Sequence, residues 1–319
     1  MKYIVTIGGG TGSFNVLAAL RSADPRAHLA AIVSMADDGG STGLLRDQYG
    51  VLPPGDIRRA LVALSHSSGR MRDLFNFRFK EGGLNGHSFG NLFIAALEKT
   101  TGSFAAAVRE ASNILNIDGN VAPVTLDNVR LLARLSDGTI IRGETNIDIP
   151  RLHSRRAPIQ DIWLEPQARI NPEAARIIKH ADLIVIGPGD IYTSIVPNLL
   201  VKGVREAIKK SKAKKVYIAN LMTKRGETDG WMGDEFFEAM ERYLGPEVLD
   251  YAIFNNRKPP AELAAKYRRE GAEFVKPPGQ ATRTKQKTKF VLANLMETRT
   301  FVRHGPKTRL AKLLLSLAK

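Results

Sequence analysis

The chain has 319 residues, 43% of them apolar, which is enough to bury a large core, so disorder is not the default expectation. It has no cysteine, so disulfides and thiolate metal sites are excluded and a reducing compartment is expected. Its net charge is +15, and the segment 276–319, with eleven Lys or Arg against the single acid Glu297, supplies +10 of it.

The first run, "KYIVTI", is rich in β-branched residues and reads as a buried strand ending in "GGGTGS". Only five residues precede those glycines after "MK", too few for the apolar core of a signal peptide. No stretch approaches the roughly 18 apolar residues of a membrane span, so a soluble, cytoplasmic protein without membrane insertion is expected. Gly8 and Gly10 occupy the first two positions of a dinucleotide fingerprint, but Ser13 stands where its third glycine would be. Gly9, Gly10, Thr11, Gly12 and Ser13 can still present amides and a hydroxyl to a phosphate at the start of a helix over Phe14–Leu20.

The second strand, "LAAIVSM", runs into "ADDGGSTG". Asp37 and Asp38 sit where nucleotide-binding folds often place an acid near a ribose. Adjacent acids also suit Mg2+ among phosphate oxygens, because hard cations prefer oxygen; the plain alternative is an Asx turn. We expect a site here, with Ser41 in the glycine-rich continuation. Asp56 precedes the helical run Ile57–Leu64 as a good N-cap, and Ser88 is similarly placed before Phe89–Glu98, leaving His87 and Asn91 as candidate ligand contacts.

A helix over Ala105–Leu115 follows, then "NVRLLARLSDGTIIRGETNI", whose Asp137-Gly138 pair between strand-like runs marks a β-hairpin near 127–147. Beyond a helix over Pro172–His180, "DLIVIG" is the third parallel strand. Gly187, Gly189 and Asp190 form a second glycine loop at its end, with Asp190 as an N-cap or a metal ligand. The strands "KVYIAN" and "DYAIFN" follow, and "NLMT" after the fourth contributes Asn220 and Thr223. Helices are expected over Asn198–Lys210, Glu235–Tyr243 and Ala261–Glu270, and a last amphipathic helix carries Leu310, Leu313, Leu314 and Leu317 on one face. Strands alternating with helices predict one doubly wound, mainly parallel, Rossmann-like α/β domain over 1–319, with the hairpin inserted and a basic segment at 276–319. All five strand ends carry glycine or small polar residues, and the ligand crevice of such a sheet lies beyond the carboxyl ends of its strands.

The blocks "GGGTGS", "MADDGGSTGLLR", "LPPGDIRRALVAL", "HSFGN", "ADLIVIGPGDIYTSIVPNLLV" and "NLMTKRGETDG", in this order, resemble the bacterial gluconeogenesis factor family, relatives of the 2-phospho-L-lactate transferases. The resemblance covers nearly the whole chain. It implies a Rossmann-like fold and a UDP-sugar pocket, notably for UDP-N-acetylglucosamine. It also implies control of cell-wall precursor supply and cell shape, through a regulated enzyme of amino-sugar synthesis, and leaves self-association open. No cofactor is obligatory on this reading; Mg2+ at Asp37 and Asp38 would be inherited from the transferase branch, which moves a phosphate-linked three-carbon acid onto a deazaflavin. The resemblance further places Tyr267, in "LAAKYRREG", and Arg303, in "TFVRHGPKTRL", against the UDP-sugar. A nicotinamide-dependent oxidoreductase would explain only the first glycine loop. A nucleic-acid-binding module would explain only the basic tail, where aromatics are sparse and no RNA-binding signature occurs.

Overall fold

In a computed structural model, residues 2–149, 157–298, 302–304 and 309–318 are described, residues 298 and 302–304 through their backbone alone. In chain order the strands are β1 (Tyr3–Gly8), β2 (His28–Val33), β3 (Asn120–Pro123), β4 (Arg130–Leu135), β5 (Ile140–Arg142) and β6 (Ile159–Glu165). They continue with β7 (Leu183–Ile186), β8 (Lys214–Ile218), β9 (Tyr251–Asn255), β10 (Lys289–Ala293) and the short antiparallel pair β11 (Met296–Thr298) and β12 (Val302–His304). Seven of them form one parallel sheet in the order β10-β9-β8-β7-β1-β2-β3.

Helices cover both faces, so the inner strands read as continuous apolar runs. Every residue of β7 is buried, as are Ile4, Val5 and Ile7 of β1. The helix Gly10–Ala23 buries Phe14, Val16, Leu17 and Leu20 against this sheet. Over it packs the helix Arg309–Leu317, with Leu310 and Leu314 buried and Leu313 and Leu317 partly so. A fully buried leucine contributes about 1.5–3 kcal/mol, which explains why a strongly basic terminal segment docks at all. That segment also supplies the edge strand β10, so it belongs to the fold.

The five parallel strands expected from the sequence are present; β3 and β10 are additional. Both are edge strands: "NVAP" is short and proline-ended, and "KFVLA" is only half-buried, so neither carries the apolar run of an inner strand. The Asp137-Gly138 hairpin forms between β4 and β5, with Thr139 N donating to Asp137 Oδ1 at 2.9 Å and Gly138 at φ 88°. The strand β6 completes an antiparallel sheet, β5-β4-β6.

Two local expectations are corrected. The helix expected over Asn198–Lys210 is interrupted: Gly203, at φ 99°, separates Val196–Leu199 from Val204–Lys210. The stretch after Asp38, read as a glycine loop, is a helix, Gly40–Tyr49, which buries Leu45 and Arg46. Its periodicity is hidden because an arginine takes an inward position. The Arg46 guanidinium donates to Asp37 O at 2.8 Å, Asn128 Oδ1 at 2.7 Å and Val129 O at 2.5 Å, tying the end of β2 to the start of β4.

Candidate functional site

From β1 the chain proceeds to β2 and β3 on one side, while β7 lies on the other side and leads to β8, β9 and β10. The carboxyl ends of β1 and β7 therefore flank the topological switch point, where a doubly wound sheet opens a crevice. Two connected cavities occupy it, sharing Gly10, Thr11, Asp190 and Ser194.

The first cavity, of about 360 Å3, lies over β7 and β8. Gly9–Gly12 and Asn15 form one wall, Pro188–Asp190 the floor, and Asn220–Thr223 with Tyr267 the opposite side. Gly10 adopts φ 70°, a left-handed turn that opens the helix Gly10–Ala23 toward the crevice. After β7, Gly187 reverses the chain at φ 78°. The Asp190 carbonyl accepts from both Ser194 N and Ile195 N at 2.9 and 3.1 Å, the second bond closing a π-helical turn over Ile191–Ile195. Asn220 is fully engaged: Oδ1 accepts from Gly189 N at 3.1 Å and Nδ2 donates to Asp190 Oδ1 at 3.3 Å. Thr223 Oγ1 accepts from Glu273 N at 2.8 Å, pinning the loop that carries Met222.

The second cavity, of about 310 Å3, is walled by carboxylates: Asp37, Asp56, Glu144, Asp148 and Asp190, with Arg59 and Lys224 as its cations. Asp37 Oδ1 accepts from Gly39 N at 3.0 Å, so the Asx turn and the crevice position coexist in one residue. Burial pushes the Asp37 carboxyl above its ordinary range. Asp56 rises to about 6, by burial and then by the Asp37 charge, against Arg59 and the Gly10 amide. Glu144 is pushed to about 9 by burial and the surrounding acids, Asp37 foremost. Lys224 Nζ lies 2.7 Å from Asp148 Oδ1 and 3.4 Å from Asp190 Oδ2. Burial works against its charge, but Asp190 and Asp148 outweigh that and hold its pKa above the ordinary lysine value. Behind it, the buried Glu227 accepts from Tyr192 N at 3.1 Å and Thr193 Oγ1 at 3.0 Å, and burial raises its pKa strongly.

Several residues singled out from the sequence lie elsewhere. Asp38, paired with Asp37 as a metal ligand, turns the other way: its carboxylate accepts from Thr145 N at 2.9 Å and Glu144 N at 3.2 Å and meets Arg130 Nη1 at 3.4 Å, capping the helix Glu144–Asp148. The two acids thus serve different elements, Asp37 closing the Asx turn toward the crevice and Asp38 holding the start of the helix Glu144–Asp148. Ser13 is buried, its Oγ donating to Pro188 O at 3.2 Å; it fastens the two glycine loops together and lines neither cavity. Asp56 is not an N-cap: Pro54 holds that position, and Asp56 Oδ2 instead accepts from Gly10 N at 3.0 Å. Asp190 makes no side-chain cap either.

Ser41, His87 and Asn91 do come together, but with one another. Ser41 Oγ is 3.2 Å from both His87 Nδ1 and Asn91 Nδ2, and Asn91 Oδ1 accepts from Arg58 Nε at 2.9 Å. The three are buried and line neither cavity, whereas Ser88 is the N-cap expected of it, accepting from Asn91 N at 3.3 Å. Arg303 belongs to β12 by its backbone, and its side chain is outside the described residues.

The sequence reading missed Asn15, Arg59, Glu144, Asp148, Ser194 and Lys224. Lys224 stands in the block "NLMTKRGETDG", and Glu144 and Asp148 bound a short helix between β5 and β6 of the inserted sheet, so no local motif marks them.

The 2-phospho-L-lactate transferase CofD family model matches residues 4–296. A Thermotoga maritima protein is 45% identical over 272 residues, 85% of this chain and 84% of its own. The Halalkalibacterium halodurans protein named gluconeogenesis factor is 42% identical over 276 residues, 86% of this chain and 84% of its own. A crystal structure of a Bacillus halodurans member of the UPF0052 family superposes with a TM-score of 0.92 at 37% identity, covering 99% of this chain and 100% of that one. A family model matched over residues 4–296, relatives 42–45% identical over most of the chain and a solved fold superposing over nearly its whole length mean that the chain belongs to the CofD family, among relatives that include gluconeogenesis factors.

Proposed function

We infer that the crevice binds a UDP-sugar, with UDP-N-acetylglucosamine as the ligand, and that the protein is a cytoplasmic, ligand-responsive regulator of cell-wall precursor supply and cell shape. The observation that carries this reading is the pairing of a nearly neutral, hydrogen-bonding cavity, whose one carboxylate is the Lys224-held Asp190, with an acidic one at the start of the helix Gly10–Ala23. A diphosphate placed over Gly10–Gly12 meets the positive end of that 14-residue helix. The nucleoside then extends toward Tyr267 and Met222, where an aromatic face can cover the base. Arg303 would add a forked contact to phosphate.

The acidic half repels a bare diphosphate unless a divalent cation lies between them. Asp37 and Asp56 fit: both are hard oxygen donors in the cavity wall, and both have carboxyls raised by burial that a cation would relieve. When bound there, Mg2+ would neutralise phosphate charge. The protein's own part is to hold the Gly10 turn through Asp56 and the Asp37 backbone through Arg46. The name gluconeogenesis factor carried by relatives supports a role in gluconeogenic growth.

A second reading, Mg2+-dependent transfer of a 2-phospholactyl group onto a deazaflavin, is favoured by the family model and by the same acidic cavity. Calorimetry with UDP-N-acetylglucosamine, with and without Mg2+, tests the first reading. A pull-down repeated with and without the UDP-sugar then tests ligand-dependent association with a partner. Stoichiometric transfer to a deazaflavin acceptor would replace the regulatory reading with the enzymatic one.

A further inference from the structure

The polar side chains of the neutral cavity fall into two groups. Asn220 has both ends of its amide engaged, Thr223 serves the Glu273 backbone, and Asp190 is held by Lys224 and Asn220. Asn15 differs. It is half-buried in the cavity wall, and among the described residues no hydrogen bond engages its amide. It stands four residues after Thr11 in the helix Gly10–Ala23, hence on the same face and one turn, about 5–6 Å, beyond the amides that open that helix. The far side of the same cavity is formed by Leu221, Met222 and the half-buried Tyr267.

We propose that Asn15 reads the base of the bound nucleotide: its amide oxygen accepts from the uracil N3–H while its NH2 group donates to the neighbouring ring carbonyl, with the ring plane against Tyr267. This rests on the nucleotide reading of the crevice and extends it from phosphate binding to base choice. A side-chain amide is suited to the task because it offers one acceptor and a donor side by side, matching an edge on which N–H and C=O alternate. A carboxylate in the same place offers two acceptors. It would oppose the uracil carbonyl and suit guanine, whose N1–H and N2–H present two donors in a row. The location leaves the amide of Asn15 open to the cavity, where a ligand edge can pair with it. A site built to hydrogen-bond a ligand edge rejects a ligand that leaves its polar groups unpaired, which is how such an amide imposes selectivity.

The test uses the intact protein with UDP, GDP and inorganic pyrophosphate as probes, titrated against wild type, Asn15→Ala and Asn15→Asp. Asn15→Ala is expected to weaken UDP about tenfold, the value of one to two hydrogen bonds, and to leave pyrophosphate unchanged. Asn15→Asp is expected to shift the UDP-to-GDP affinity ratio about a hundredfold toward GDP, by losing one partner on uracil and gaining one on guanine. Because that figure is a ratio within one variant, a general loss of folded protein cancels from it, and thermal unfolding of each variant checks the fold independently. A wild type that binds UDP while both variants keep its affinity and its UDP-to-GDP ratio within about twofold overturns the assignment of Asn15 and leaves the crevice reading in place. A wild type that binds neither nucleotide overturns the crevice reading itself, and the base-reading role with it.

Discussion

The two halves of the crevice share the loops after β1 and β7 and face opposite problems. Over β7 and β8 the wall is nearly neutral, its one carboxylate Asp190 held by Lys224, and Asn220, Asp190 and Thr223 are already engaged within the protein. Over β1 and β2 five carboxylates face two cations, and burial raises Asp37, Asp56 and Glu144 above the ordinary carboxylate range. The neutral half can be shaped by packing, whereas the acidic half carries a free-energy cost that folding alone does not remove. Such a cost persists where something else, a proton or a metal ion, relieves it.

Four experiments sharpen or break this contrast. The largest effect is expected from Asp56→Asn in the ligand-free protein. Asp56 titrates near 6 when folded and near 3.8 when free, so the native state holds its proton more tightly and loses stability as pH rises from about 4 to 6. Asn cannot ionise yet still accepts from Gly10 N, so Asp56→Asn should be up to about 3 kcal/mol more stable than wild type at pH 7. That advantage should shrink toward pH 4; denaturant unfolding at the two pH values decides, and an equal offset at both contradicts a strained acidic half.

Next comes Gly10→Val. The left-handed φ of 70° makes a β-branched residue cost about 1–2 kcal/mol in folding, and the side chain stands between the helix amides and a phosphate. UDP-sugar affinity measured by calorimetry should fall about a hundredfold. Unchanged affinity in a folded variant would remove phosphate from this loop.

The adjacent acids give a smaller and more selective effect. Asp38→Ala should cost about 1–2 kcal/mol of stability, the value of a helix cap, and leave binding and its Mg2+ dependence intact. Asp37→Ala should do the reverse, abolishing the Mg2+ dependence; identical behaviour of the two variants would erase the distinction between crevice and cap. Smallest is Tyr267→Ala, expected to weaken UDP-sugar binding by the roughly 0.5–1.5 kcal/mol of an aromatic contact. If UDP-sugar and pyrophosphate weaken equally, Tyr267 does not touch the base.

The inner strands and both glycine loops were legible because buried parallel strands announce themselves as apolar runs with glycine at their ends. Edge strands such as β10 were not, since half-exposed positions relax that pattern. In the site, the glycines and Asp37 were legible from their place after a strand. Asp38 was indistinguishable from Asp37, because sequence does not say which of two neighbours faces inward. Glu144, Asp148 and Lys224 were invisible for a different reason: they reach the crevice from the inserted sheet and from the loop after β8. Their meeting is a property of topology rather than of any local motif.

That meeting has a mechanical meaning. Lys224 holds Asp148, at the end of a helix belonging to the inserted sheet, and Asp190, in the loop after β7, with one ammonium group. An anionic group entering beside it competes with both carboxylates for the same charge. Filling the crevice with an anion and loosening this tether are therefore linked through a single free energy.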